Sequence, residues 1–266
     1  MPSLGTRRHG EMKRRAITAM GVAFHKGEWM DSGDDPLRSP TISLIEQAPD
    51  STLGTHFHRQ NQWQLFVHGG GALGRDALAP LTIHYAGAYT GYGPLVAGPQ
   101  GIHYFTIRPV CEAGAIPAEQ AREQMVRGPK RHAQAGPIQS ATPAQLAHLQ
   151  QPSSQDLIAP AADGLGARLH QLPPGTVLHP DIPAATDCSF AVVLGGSLVG
   201  AEQPLQRWDS LAWWADEPTP TLQAGPEGAE VILLFTPPKE QVYQDAMIAA
   251  LAPEHPLRQS ARSSVG

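Results

Sequence analysis

The sequence has almost no cysteine: Cys111 and Cys188 are the only two in 266 residues. That scarcity excludes a small secreted scaffold held by disulfides, and a reducing, cytoplasmic setting is expected. Long apolar runs are also missing. No stretch approaches the roughly 18 residues a membrane helix needs, so no membrane partner is expected. The N-terminal segment has charges but no apolar block behind them, so no secretory signal is expected. Positive charge is scarce as well, with a formal net charge of −5. The one basic cluster, "RRHGEMKRR" from Arg7 to Arg15, reads as a solvated segment, and nucleic acid is not expected as a partner. Charged residues reach only 16%, whereas Gly (27) and Pro (26) are abundant. That balance disfavours long helices and points to many short strands joined by turns.

Residues 1–40 carry little pattern and are taken as an N-terminal extension. "TISLIEQ" (41–47) reads as a strand, "APDSTLGT" as a turn, and "HFH" as the start of the next strand. "QWQLFV" alternates and then turns wholly apolar, as a strand entering a core does. "LTIHYAG", "AYTGYG" and "GIHYFTIRP" are further strand-like runs. "PAEQAREQMVRG" has Pro117 and Gly128 as helix punctuation. The linker-like stretch that follows has room for a short helix after Thr142. Strands resume with "ARLHQL", "SFAVVLGGSLVG", "SLAWWA" and "AEVILLFTP", and "KEQVYQDAMIAALA" closes as a helix with Val242, Ala246 and Ile248 on one side.

The two strand-rich parts echo each other. "AGPQG" at Ala97 matches "AGPEG" at Ala224, "GTHFH" at Gly54 matches "GTVLH" at Gly175, and "VHGGGALG" at Val67 matches "VLGGSLVG" at Val193. The offsets are 127, 121 and 126, which indicates an internal duplication. The fold class that follows is all-β: two small antiparallel barrels with a few short helices. The expected divisions are a first barrel at 41–112, a helical linker at 113–160, a second barrel at 161–238, and a C-terminal helix and tail at 239–266.

His56 and His58 share one strand face because side chains alternate with period two. Two imidazoles at that spacing can hold one ion at about 2 Å, and imidazole suits Fe, Zn, Ni and Cu. With Gln62 four positions on and a glycine-rich turn beyond, "GTHFHRQNQ" resembles the first motif of the cupin superfamily, and the duplication resembles a two-barrel bicupin. The resemblance implies two jelly-roll barrels and a divalent transition metal, Fe(II) preferred, with Zn, Ni or Mn possible. Its ligands would be His56, His58, Gln62 in the place of the usual Glu, and a third His. "GPQGIHYF" offers His103 after a Pro-x-Gly. The repeat instead sets the third-His position near Tyr92–Pro94, which has no imidazole, and His84 becomes the substitute. Gln64 lies on the face of Gln62 and is a candidate for contact with substrate. Tyr85, Tyr89 and Tyr92 are candidates for lining a pocket, Tyr89 and Tyr92 for catalysis, and Arg108 for balancing an anionic substrate. The second repeat keeps only His179, with Val177 in the place of His56, and is expected to be metal-free, a pocket wall or a homodimer surface.

Three functions remain open at this stage. A histidine-held Fe(II) implies a dioxygenase acting on a small enolate or catecholate. A neutral Gln at the ligand position, which some cupins acting on sugar acids carry, implies a non-redox isomerase or lyase using Zn, Ni or Mn. The third is a non-catalytic bicupin that binds a small ligand.

Overall fold

A computed structural model describes residues 2–251 except 32, 34, 113 and 201–202. The chain order is β1 (Ser3–Gly5), α1 (Arg7–Met12), β2 (Arg15–Ala19), β3 (Val22–Met30), β4 (Thr41–Gln47), β5 (Thr52–Leu53), β6 (His56–Phe57), β7 (Gln62–Leu73), β8 (Asp76–Leu78), β9 (Ile83–Ala86) and β10 (Leu95–Arg108). A connecting region then holds β11 (Ile116–Pro117), α2 (Ala121–Gln124), β12 (His132–Ala135), α3 (Pro143–Ala147) and β13 (Ser153–Ile158). The second half holds β14 (Gly166–Leu172), β15 (Val177–Leu178), β16 (Cys188–Leu198), β17 (Ser210–Trp214), β18 (Leu222–Thr236) and α4 (Gln241–Ala250). Among the described residues no helix is long and apolar enough to cross a membrane.

The fold is all-β, with two barrels. The main sheet of the first runs β12-β9-β7-β10-β4-β3-β2, with β5 on β10 and β8 on β7. The second runs β1-β17-β16-β18-β14-β13, with β15 on β18, and a two-stranded piece pairs β6 with β11. Period-two alternation sorts the side chains of each barrel onto two faces. On β7, Phe66 turns into the first barrel, where Tyr92, Leu95 and Tyr104 meet it. Trp63 and Leu65, one residue out of phase, pack instead against Phe190, Val192, Ile232 and Leu234 of the second barrel. The barrels therefore share a core built from the outward faces of both sheets. Trp63 Nε1 donates to Thr236 Oγ1 across it at 3.0 Å. Each fully buried aromatic or branched side chain there stabilises the fold by about 1.5–3 kcal/mol.

The duplication is visible in the backbone. Gly69 (φ +71°) packs on Gly101 (φ +72°), and a Cβ on Gly69 would lie 2.0 Å from the Gly101 carbonyl oxygen. In the second barrel Gly196 (φ +61°) packs on Gly228 (φ +76°) with the same approach, 2.1 Å. Only glycine meets both the positive φ and the close contact. The matching pair sets Gly69 on Gly196, one residue away from the alignment the sequence suggests around "HGGG".

The short helix after Thr142 forms as α3, with Pro143 in its first turn and a Thr142–Gln145 capping box. The region after Pro117 is mostly irregular: a short bridge strand, one 3₁₀ turn and the four-residue α2 replace the expected longer helix. In α4 the buried residue is Tyr243, while Val242 is exposed, so the helix is rotated from the expected apolar side. "AYTGYG" is a turn carrying Tyr89 at φ +57° and not a strand. The expected extension holds regular structure from Ser3 to Met30: β1 joins the second barrel, and β2 and β3 extend the sheet of the first. The expected tail at 252–266 lies outside the described residues.

Candidate metal and substrate site

The polar side chains that alternation turns into the first barrel form one buried cluster. His56, His58, Gln62, Gln64, His84, Tyr92 and Arg108 are all buried. His56 sits on β6 and forms an isolated antiparallel bridge with Tyr92, which brings the turn before β10 against the histidine strand. The His56 and His58 rings stand nearly perpendicular, with centroids 5.4 Å apart. His56 Nδ1 lies 2.8 Å from the Gly54 carbonyl oxygen, so Nδ1 carries the proton and Nε2 keeps its lone pair. Glu112 Oε2 lies 3.3 Å from His58 Nδ1, an ion-pair separation without the alignment of a good hydrogen bond. Burial opposes charge on Glu112, yet His58 and Arg108 together hold its carboxyl below the ordinary value.

Arg108 is the strongest fixed charge of the cluster. Its Nε donates to Gln62 Oε1 at 2.8 Å. One terminal nitrogen lies 3.5 and 3.4 Å from the two ring nitrogens of His58, across the ring and not along one lone pair. Gln62 Nε2 donates to the Tyr92 hydroxyl at 2.6 Å. Burial, then Arg108, brings His58 down to about 4, so its imidazole is neutral near pH 7. Burial also lowers His56 and raises the Tyr92 hydroxyl well above its ordinary value.

His84 and Gln64 form the next layer. His84 Nδ1 lies 2.9 Å from Gln64 Oε1, and Nε2 lies 3.4 Å from His132 Nδ1. Burial pushes His84 down to about 3, with His132 and His56 adding to the effect. His84, Tyr92 and His132 reach an open cleft of about 480 Å³, which Arg75 and Asp76 also line. Through His84 and Tyr92 this cleft borders the cluster.

Three of the residues singled out in the sequence lie elsewhere. His103 is on the outer face of β10, across from His68 and Glu46, with its ring 4.7 Å from that of His68. Ile102 and Tyr104 take the inward positions on either side of it. Tyr89 leaves the barrel at its positive φ and packs between Phe57 and Tyr243, 5.9 and 4.9 Å away. It joins a small apolar cluster under α4 and does not line the site. Tyr85 belongs to the core between the barrels, against Trp63. In the second barrel Val177 and His179 are exposed, and no histidine pair forms there among the described residues.

No protein-family model matches the sequence, and no curated protein matches it either. Solved structures do match. The nickel(II) complex of the pirin YhhW from Escherichia coli is 18% identical over 90% of this chain and 100% of that one, with a TM-score of 0.51. A candidate dioxygenase from Nostoc punctiforme is 13% identical over 91% and 80%, with a TM-score of 0.56. The oxalate decarboxylase of Lactobacillus farciminis, in its formate complex, is 11% identical over 91% and 90%, with a TM-score of 0.52. The chain has a two-barrel cupin fold. At these identities the likeness speaks for the fold alone, and the site must be judged on its own donors.

Among the described residues, no group of three or more His, Cys, Asp and Glu stands ready to hold an ion. The donors of this cupin barrel are thus two neutral imidazoles, His56 and His58, with the oxygens of Tyr92 and Gln62 beside them, each oxygen retaining a second lone pair. That set fits a divalent transition ion held by two nitrogens and completed by oxygen. It does not fit a three-imidazole centre.

Sequence reasoning gave Arg108 only a tentative role and missed Glu112 and His132. Arg108 had a signal: it keeps the parity of Tyr104, the inward face of β10. Glu112 follows the strand in a loop, and His132 arrives from the connecting region, so neither had one.

Proposed function

We propose that this chain is a metal-dependent cupin enzyme that acts on a small anionic substrate in its first barrel, with Fe(II) dioxygenase chemistry on an enolate or catecholate as the reaction. The observation that carries the reading is the His56–His58 pair, its first ring fixed by Gly54 so that Nε2 is the donor, with a buried Arg108 beside the second. His56 and His58 would hold the ion, with Tyr92 or Gln62 supplying oxygen. When bound, iron supplies the redox-active centre at which the electrons of the substrate meet O2. Arg108 supplies the positive charge that draws an anion into the buried site and keeps it oriented. The Tyr92 hydroxyl, kept protonated by burial, donates a hydrogen bond to a substrate oxygen. Gln62 fixes the direction of that hydroxyl and the plane of the Arg108 guanidinium in one stroke. His84 and His132 line the path by which substrate and protons reach the cleft.

A second reading rests on Gln62. An amide in place of a carboxylate leaves the ion with less negative charge from its ligands and so more strongly Lewis-acidic, which suits non-redox isomerase or lyase chemistry with Zn, Ni or Mn.

The test is metal analysis of protein purified without a histidine tag, followed by oxygen uptake with a 1,3-diketone or a dihydroxyaromatic. About one ion per chain is expected, lost in His56→Ala and in His58→Ala and retained in His103→Ala. Full occupancy in both of the first two variants would overturn the site. Turnover without oxygen would replace the dioxygenase reading by the Lewis-acid one.

A further inference from the structure

The seam between the barrels holds a second pocket, of about 320 Å³, that the histidine site does not use. Arg38, Gln60, Asp187, Trp214, Lys239 and Met247 line it, so both barrels and α4 contribute. Pockets at such junctions are where small ligands most often bind. Lys239 follows β18 directly after Pro237 and Pro238. Its Nζ donates to Gln60 Oε1 and lies 3.3 Å from Met247 Sδ. Glu112 and Asp187 act on it only through space.

The other three lysines are differently placed. Lys26 pairs with Glu28 at 3.6 Å. Lys130 donates to the Val126 carbonyl at 3.1 Å and to the Tyr243 hydroxyl at 2.9 Å. Lys13 is exposed. Lys239 lies on the wall of the seam pocket, bonded to a neutral amide oxygen and beside a thioether. Enclosure of this kind disfavours an ammonium, and burial brings Lys239 down to about 8. A desolvated lysine amine is a nucleophile toward carbonyl carbon.

We propose that the seam pocket is a second ligand site, at which the Lys239 amine condenses with the carbonyl group of a small aldehyde or ketone. The Nζ lone pair forms the nitrogen–carbon bond, and the carbonyl π pair moves onto oxygen, which takes a proton from the nitrogen. The resulting carbinolamine loses that hydroxyl together with the remaining N–H hydrogen as water and leaves an imine. Nothing is oxidised or reduced. Arg38, stacked over Trp214 at 5.2 Å and paired with Asp216 at 2.7 Å, closes one side of the pocket.

The test uses the whole chain, glyoxylate as probe and cyanoborohydride to fix any imine as a stable secondary amine, with the modified lysine located by peptide mass spectrometry. At pH 7.5, Lys239 is expected to carry at least tenfold more carboxymethyl adduct than Lys13, Lys26 or Lys130. In Lys239→Arg the adduct disappears from that peptide, and labelling of the other three is unchanged. Adducts that follow exposure, with Lys13 foremost, or no adduct at Lys239, would overturn the proposal. Neither outcome bears on the metal content of the first barrel.

Discussion

Replacing Arg108 by Met tests the site where charge and structure meet. The methionine stem fills much of the arginine volume, so packing is largely kept. What is lost is the Nε contact to Gln62 Oε1 at 2.8 Å and the positive charge beside His58. A hydrogen bond from a charged donor contributes about 1.5–3 kcal/mol, and the abandoned amide oxygen costs about 1–3 kcal/mol of desolvation. Release of a buried guanidinium from its own desolvation offsets part of that. The net expectation is a loss of about 1–3 kcal/mol, or roughly 2–10 °C in melting temperature for a chain of this size. The second consequence concerns ligands. Oxalate at millimolar concentration should raise the melting temperature of the metal-loaded protein. Loss of one charge-assisted contact of about 1.5–3 kcal/mol weakens an anion by roughly 10- to 150-fold and should abolish that rise. Metal content should stay near one per chain, because His56 and His58 remain. The assay is differential scanning fluorimetry with and without oxalate, together with metal analysis of the same samples. A variant that melts with the wild type and still responds to oxalate would show that Arg108 neither supports the cluster nor receives the anion.

Two further outcomes follow from the same geometry. His58 and His170, each lowered to about 4, and His84, lowered to about 3, all bind protons more readily unfolded than folded. Their contribution is complete above the unfolded value near 6.5 and is lost as pH falls toward the folded values, at up to about 1.4 kcal/mol per pH unit for each histidine. Urea midpoints of the metal-free protein should therefore drop between pH 7 and pH 5, and a constant midpoint would contradict the burial of these rings. Tyr92→Phe should weaken metal affinity by about 10- to 100-fold, because it removes an oxygen donor and strands Gln62 Nε2. Tyr89→Phe, which touches the apolar cluster under α4 and the Tyr89 hydroxyl's contact with Arg59, should leave the metal titration unchanged.

How much of this was legible in the sequence depended on whether period two applied. Where a strand is regular, alternation alone places Gln62, Gln64 and His84 inside the first barrel and Trp63, Leu65 and Ile83 against the second. The same rule, applied to "GIHYFTIR", would have put His103 outside and Arg108 inside, since Ile102 and Tyr104 are the apolar inward residues. The Pro-x-Gly before His103 outweighed that pattern and misled. Tyr89 lay beyond the rule, because one residue at φ +57° redirects the chain toward α4. Glu112 and His132 lie in loop and connecting segments, where position is set by contacts distant in sequence. The duplication was legible from glycine spacing, but its alignment slipped by one residue, because sequence alone did not show which glycine of "HGGG" meets the facing strand.

The strand at Ser3–Gly5 hydrogen-bonds to β17, at the edge of the barrel formed last in the chain, while β2 and β3 behind it belong to the barrel formed first. The polypeptide is thus clasped like a belt whose tip passes under its far end. During synthesis those opening residues have no place to dock until some two hundred more have emerged. Severing the stretch between the barrels would not release two self-sufficient modules, because the trailing one would expose a bare strand edge ready to pair with a neighbour.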